Sequence, residues 1–373
     1  MKGEPIHRRA IVRWQGTPGA HRHGEDAPAR GADRDPLNPL SGRNGRIETG
    51  EDAVDRDGTG RRQSTSPSPH PESSSGTPDL NAFTTATEIL RSRDRLPVMV
   101  LAGGRSARFG RDKLSTPISG RPSLARVISR VAPLASDLVV STASESRRRE
   151  LAPLVRSDLS WSVDRDDTWG PGPAGAMARH LADRPGTELL IVPGDVPWIE
   201  TAALRRFVER ARRADVDTAV PAWSSGETEH LIQWHRGSEA AVAVRDAVRG
   251  PRGTLRASEF LRAVPRTLVV PISRLTTDPG TFAHLTYPGD AVRRRWRGAA
   301  VRSARPRVIE GSPKASYAAA HRAYATAEFA RAERAFIAES RWYAGAVLPL
   351  LARHAEDDAR ATVNRGRRLR RSR

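Results

Sequence analysis

PVMVLAGGRSARFGRDK, residues 97–113, is the first stretch of the chain that reads as the start of a folded domain. Val98 to Leu101 are four apolar residues in a row, the length and composition of a buried strand. The strand runs into Gly103 and Gly104, where backbone N–H groups stand without a Cβ in front of them. That suits close approach to phosphate oxygens. Arg105, Arg108 and Arg111 then crowd the loop with charge, and Lys113 follows Asp112. An ammonium is a compact, mobile charge that a guanidinium does not reproduce, and the chain has only three lysines, Lys2, Lys113 and Lys314. The spacing fits neither the P-loop nor the dinucleotide fingerprint.

The surrounding sequence frames that loop. The chain has 373 residues, 38% of them hydrophobic, enough for one substantial domain with appendages. Zero cysteines exclude disulfides, thiolate metal sites and cysteine nucleophiles. No run of 18 apolar residues and no secretory signal is present, so a cytoplasmic protein without membrane contact is expected. Nearly all of the formal charge of +19 is shared equally between residues 97–300 and 301–373, which favours anionic partners.

Three segments are expected. Residues 1–95, with tracts such as STSPSPHPESSSGTPD, cannot bury enough surface to offset chain entropy and read as a disordered, low-complexity extension. An over-extended gene start is the alternative reading of the same residues. Residues 96–300 alternate strand and helix signals, which predicts an α/β fold with a mostly parallel sheet covered by helices on both faces, a Rossmann-like three-layer arrangement. Ligands of such sheets bind beyond the carboxyl ends of the strands. EHLIQWHR, residues 229–236, reads as one of those strands. Residues 301–373 are alanine-rich, with aromatics at helical spacing, and predict one or two helices followed by the basic run RGRRLRRSR.

Taken as a whole, L-A-G-G-x-S-x-R-x-G-x-D-K resembles the signature of the MobA-like nucleotidyltransferases, the molybdenum cofactor guanylyltransferase family. GPGPAGAM (residues 170–177) is similar to that family's GP-x-x-G loop, IVPGDVPWI (191–199) to its strand ending in a metal-binding aspartate, and FAHLTYPGD (282–290) to its closing segment. The resemblance implies Mg²⁺-dependent transfer of GMP from GTP to molybdopterin, with release of pyrophosphate. It implies that Gly103, Gly104, Arg108 and Lys113 hold the triphosphate, with Leu101 and Ala102 also among the nucleotide-binding residues, and that Arg108, Lys113 and Asp195 are the catalytic set, with Asp195 as the Mg²⁺ ligand. Asp164 falls near the guanine or ribose, and Gly172, Pro173 and Gly175 form the base-side loop. The implied partners are GTP and molybdopterin, then molybdoenzymes or cofactor-carrier proteins; nucleic acid is not expected.

The chemistry of the residues is compatible with those roles. A phosphate attacking the α-phosphorus of a triphosphate needs cations, a divalent metal and backbone donors more than it needs a general base. Mg²⁺ takes hard oxygen ligands, often one or two carboxylates with water and phosphate completing the shell. Two departures from the family pattern stand out. His284 and Thr286 occupy positions where asparagines are usual, leaving His284 or water to complete the metal shell. Ala176 stands where a second loop glycine is common. Several alternatives stay open: CTP or another phosphorylated acceptor; a non-catalytic nucleotide- or nucleic-acid-binding protein; a helix cap at Asp195; a solvated acidic turn at Asp164 to Asp167. Glu229 and His230 either line the acceptor pocket or belong to the core, and the basic tail is either a solvated charge run or a docking element.

Overall fold

The structure, a computed structural model, describes residues 95–104, 109–164, 169–237, 239–291 and 305–372. All of them lie in one compact unit, Gly76–Arg373. The expectations for residues 1–94, Arg105 and Arg108 fall outside the described residues.

Strand β1 (Leu96–Leu101) is the axis of the fold. Its side chains alternate between two cores. Val98 and Val100 join one core, and Met99 and Leu101 join the other, as the period-2 geometry of a strand covered on both faces requires. A short hairpin, β2 (Pro117–Ile118) and β3 (Arg121–Pro122), leads into α1 (Ser123–Val131). Strand β4 (Ala135–Thr142) pairs parallel with β1, and β5 (Ser160–Val163) pairs parallel with β4. Between them α2 (Glu145–Leu151) starts where Ser144 accepts the Arg147 N–H at 3.1 Å, satisfying one of the donors a helix start leaves open.

Helix α3 (Pro173–Ala182) begins at Gly172, whose φ of +92° suits glycine, with proline in its first turn. Strand β6 (Leu189–Pro193) pairs parallel with β1 on its other side. Helix α4 (Thr201–Arg213) buries Leu204, Phe207, Val208 and Ala211 in the same core as Val98 and Val100. Strands β7 (Thr218–Ala222), β8 (Gln233–His235) and β9 (Thr267–Pro271) extend the sheet, with α5 (Glu239–Val248) and α6 (Ala257–Ala263) between β8 and β9. Strand β10 (Arg307–Ile309) completes the edge. The order is β10-β9-β7-β8-β6-β1-β4-β5. β8 and β10 run antiparallel to their neighbours, and every other pairing in this sheet is parallel.

Two expectations change. The strand expected over residues 229–236 is confined to Gln233–His235, because residues 229–232 turn, with the Ile232 N–H donating to the Glu229 carbonyl at 2.7 Å. The C-terminal segment holds three helices rather than one or two: α7 (Ser312–Ala325), α8 (Phe329–Gly345) and α9 (Pro349–Arg371). The basic run is the end of α9, where arginines meet the negative end of the helix dipole. These helices are joined to α6 through Arg262, which is fully buried and bonds Glu339 of α8 at 2.8 Å, Asp358 of α9 at 2.7 Å and Glu259 of its own helix at 3.1 Å. A guanidinium taken out of water needs this much carboxylate around it.

His235 sits at the centre of the sheet, edge-on to Phe260 with ring centroids 5.4 Å apart. Neither of its ring nitrogens has a hydrogen-bond partner among the described residues, and burial pushes its pKa down to about 3. The folded protein therefore holds it neutral, while the unfolded chain takes up a proton near pH 6.5. Stability from this group is fully present above that pH and is lost as pH falls toward 3. Urea unfolding at pH 7 and pH 5 is expected to show wild type losing on the order of 2 kcal/mol more than His235→Leu. An equal loss in both proteins would contradict the burial of a neutral ring.

Candidate active site

The carboxyl ends of β1, β4 and β6 meet at one edge of the sheet. Leu101 and Ala102 close the β1 exit: Ala102 N–H donates to the Ser141 carbonyl at 2.7 Å, and the Leu101 carbonyl accepts from Gly194 at 2.9 Å. Gly194 is packed tightly, since a Cβ there would lie 3.1 Å from Leu124 and 3.2 Å from the Leu101 carbonyl. The close approach of β6 to β1 leaves little room for a side chain here, and the next residue, Asp195, stands at the strand mouth.

Lys113 reaches the same point from the loop after β1, its Nζ donating to Asp195 Oδ2 at 2.5 Å. Gly104 lies beside it, with an ideal Cβ 3.9 Å from Lys113 Cε. The loop is held by Asp112, which accepts the Leu114 N–H at 3.1 Å and pairs with Arg147 of α2 at 2.5 Å. Arg147 also bonds Glu150 at 2.9 Å. Gly103, Gly104, Ser144, Arg147 and Glu150 line a cavity of about 370 Å³. Sequence reasoning missed Arg147, which is one of three consecutive arginines; only the helical phase of α2 singles it out.

On its other side Asp195 meets His284. The imidazole Nδ1 lies 3.2 Å from Asp195 Oδ1, and Nε2 lies 2.7 Å from Glu229 Oε2. Glu229 also accepts the Trp223 indole N–H. Burial alone would raise the Asp195 carboxyl, but the His284 charge and hydrogen bond, then Lys113, outweigh it and hold it below the usual carboxylate range. Glu229 is lowered in the same way, burial being outweighed by His284 and Trp223. Burial would lower His284, and the flanking Glu229 and Asp195 instead push it up to about 10. Both ring nitrogens thus face carboxylates, Asp195 on one side and Glu229 on the other. Helix α4 is preceded by Glu200 as its cap residue, so Asp195 does not cap it. Lys113, Asp195, His284 and Glu229 instead form a charge-balanced row, brought together from β1, β6, the segment after β9 and the turn before β8.

The closing segment is fixed from below. Asp290 accepts the Thr286 N–H at 2.9 Å and the Tyr287 N–H at 2.7 Å, and the Leu285 N–H donates to the Asp195 carbonyl at 2.9 Å. Asp164 belongs to a different part of the rim. It leaves β5 with its N–H on the Thr142 carbonyl at 2.8 Å, accepts the Gly172 N–H at 3.2 Å and pairs with Arg179 of α3 at 3.5 Å. In this way it anchors the loop of Gly172, Pro173 and Gly175 to the sheet. Among the described residues no group of three or more His, Cys, Asp or Glu is placed to hold a metal ion. A single hard carboxylate at Asp195, completed by water and phosphate oxygens, still fits the demands of Mg²⁺. No helix among the described residues is long and apolar enough to cross a membrane.

Residues 98–266 match the MobA-like NTP transferase domain. A molybdenum cofactor guanylyltransferase of Pseudomonas aeruginosa is 34% identical over 166 residues, 42% of this chain and 78% of the relative. A probable molybdenum cofactor guanylyltransferase of Thermococcus sibiricus is 30% identical over 135 residues, 36% of this chain. In that case the chain spans 65% of the relative's length. The crystal structure of molybdopterin-guanine dinucleotide biosynthesis protein A from Archaeoglobus fulgidus is similar at 19% identity and a TM-score of 0.45, covering 53% of this chain and 96% of that one.

The glycine loop makes a sharp demand of its own. A Cβ on Gly175 would lie 2.0 Å from the Gly170 carbonyl oxygen, so Gly175→Ala must push the loop off α3. A loss of roughly 1–3 kcal/mol is expected from urea unfolding. An unchanged midpoint would show that the loop yields without cost and that its position is not held by α3.

Proposed function

This chain belongs to the MobA-like NTP transferase family, and we propose that it is a guanylyltransferase that moves GMP from GTP to the terminal phosphate of molybdopterin. An acceptor phosphate oxygen forms a bond to the α-phosphorus of GTP, the bond from that phosphorus to the bridging oxygen breaks, and pyrophosphate leaves with the bonding electron pair. Because the acceptor oxygen is already ionised, no residue needs to remove a proton. The observation that carries the reading is the contact of Lys113 with Asp195 at 2.5 Å, beside Gly103 and Gly104. It sets a mobile cation, a hard anionic ligand and exposed backbone donors at one strand mouth.

In this reading the backbone at Gly103 and Gly104 approaches the triphosphate, and Lys113 moves its charge from Asp195 to the phosphates as they enter. Arg108 adds charge to the same loop. The cavity beside Gly103 takes the nucleoside, with the loop of Gly172, Pro173 and Gly175, anchored by Asp164, on the base side. Asp195 would hold Mg²⁺, which shields the negative charge that gathers on the phosphates as pyrophosphate departs. His284 keeps Asp195 ionised and oriented, since a carboxylate this buried depends on the cations around it.

Asp195→Ala is expected to abolish GMP transfer to molybdopterin while the thermal transition of the fold persists; transfer at the wild-type rate would remove the assignment. Lys113→Ala is expected to weaken GTP binding by about 1–3 kcal/mol, the worth of one charge-assisted contact. Calorimetric titration reads it directly, and an unaltered affinity would mean that the ammonium does not reach the triphosphate.

A further inference from the structure

The helices α7 to α9 lie beyond residues 98–266, the part matched to the family domain. Besides the Arg262 seam on α6, they touch residues 223–230, a segment that carries two of the groups at the site. The turn joining α8 to α9, Ala346 to Leu348, presses directly on it. A Cβ on Gly226 would lie 1.7 Å from the Val347 carbonyl oxygen and 3.2 Å from Pro349 Cδ. Gly226 is thus backed by main chain, which cannot swing aside as a side chain can. Leu348 and Leu351, both fully buried, pack in one cluster with Val220 and Ala222 of β7, immediately before the segment.

Farther along, Arg353 pairs with Glu227 at 3.1 Å, and the His354 ring meets His230 edge-on at 6.5 Å between centroids. His354 is itself held in place: its Nδ1 bonds Ser258 Oγ at 2.6 Å, and its carbonyl accepts from Arg256 at 3.3 Å. Arg256 also bonds Asp357 at 2.9 Å. Glu229 lies between Glu227 and His230, both touched by α9, and its own carboxylate faces the site, bonded to Trp223 and His284. A continuous set of contacts therefore runs from α9 through residues 226–230 to Glu229, then His284, then Asp195.

We propose that the C-terminal helices are a working part of the active site. The α8–α9 turn and the head of α9 fix residues 223–230 so that Glu229 aligns His284 on Asp195. Glu229 is a positioning residue, acting on Asp195 through His284. The catalytic meaning of this set rests on the guanylyltransferase reading above, while the alignment of His284 stands without it. Removing an outer-shell group that orients a metal ligand typically costs one to two orders of magnitude in metal affinity or activity.

Two readouts on the full chain separate the possibilities. The ring-nitrogen NMR signals of His284, identified by their absence in His284→Asn, report its alignment without any substrate. The kcat and the KM for GTP in GMP transfer to molybdopterin report its use. Gly226→Ala and His354→Ala alter the wall that residues 223–230 form, from outside the site, and the second keeps the test decisive if the first, strained at its φ of +80°, does not fold. Both are expected to shift the His284 signals and to lower kcat about tenfold while KM for GTP stays within about twofold. Glu229→Gln is expected to do the same more strongly, and Glu229→Asp, which keeps the charge, to recover part of the loss. Folded wall variants with unshifted His284 signals overturn the proposal, and so does a lower melting temperature with unchanged kcat. If wild type transfers no GMP, the functional reading fails, and the NMR signals alone then decide whether the helices align His284.

Discussion

A carboxylate held at the mouth of β6 between two cations is the constraint on which the rest of the structure depends. Asp195 is largely withdrawn from water, and a buried anion persists only where opposite charge and hydrogen-bond donors surround it. Lys113 and His284 supply these from two sides. Each of those residues needs its own support. Lys113 stands on a loop tied through Asp112 to α2, and His284 is bracketed by Glu229 and by the main chain of a segment folded over Asp290. The parallel sheet brings the ends of β1, β4 and β6 to one edge, so residues far apart in sequence become one charge-balanced row. Gly194 is closely packed at that edge, and Gly104 stands beside Lys113 without a side chain.

The same logic reaches into the C-terminal helices. Arg262 is buried among three carboxylates, two of which come from α8 and α9, so the helices cannot leave the domain without stranding a charge. Lys314 of α7 adds a buried amine to this seam, donating to Thr267 of β9 at 2.8 Å; burial lowers its pKa to about 7. A seam made of ions fixes one arrangement of helix against sheet more narrowly than apolar packing would, because each charge needs its own partner. That fixed arrangement is what presses the α8–α9 turn on Gly226.

The fold, and the meeting of Lys113 with Asp195 beside Gly104, were legible in the sequence for a physical reason. Strand alternation and the glycines at Gly103, Gly104 and Gly175 are local signals, as is the acid that follows β6. The strand at residues 229–236 was misread because apolar spacing does not distinguish a buried turn from a buried strand over so few residues. The partner of His284 was hidden for a different cause. Glu229 and His284 are joined only by the path of the sheet, and the histidine reads equally as a ligand or as a core residue until both carboxylates are seen beside it. Three helices rather than one or two follow from turns at Ala327 and Val347, both at positive φ in positions where glycine is the usual residue and is not present. The interlock of Arg262 with Glu339 and Asp358 had no sequence signature, since charged residues at these spacings ordinarily face water.

Calorimetric titration of the full chain with GTP, CTP and ATP, each with and without Mg²⁺, tests the central claim most directly. The phosphate loop, Lys113 and Asp195 together are expected to give GTP binding that strengthens with Mg²⁺ and exceeds that of the other two nucleotides. Binding of none of the three, or a preference for CTP or ATP, would contradict the assignment of this strand mouth to GTP.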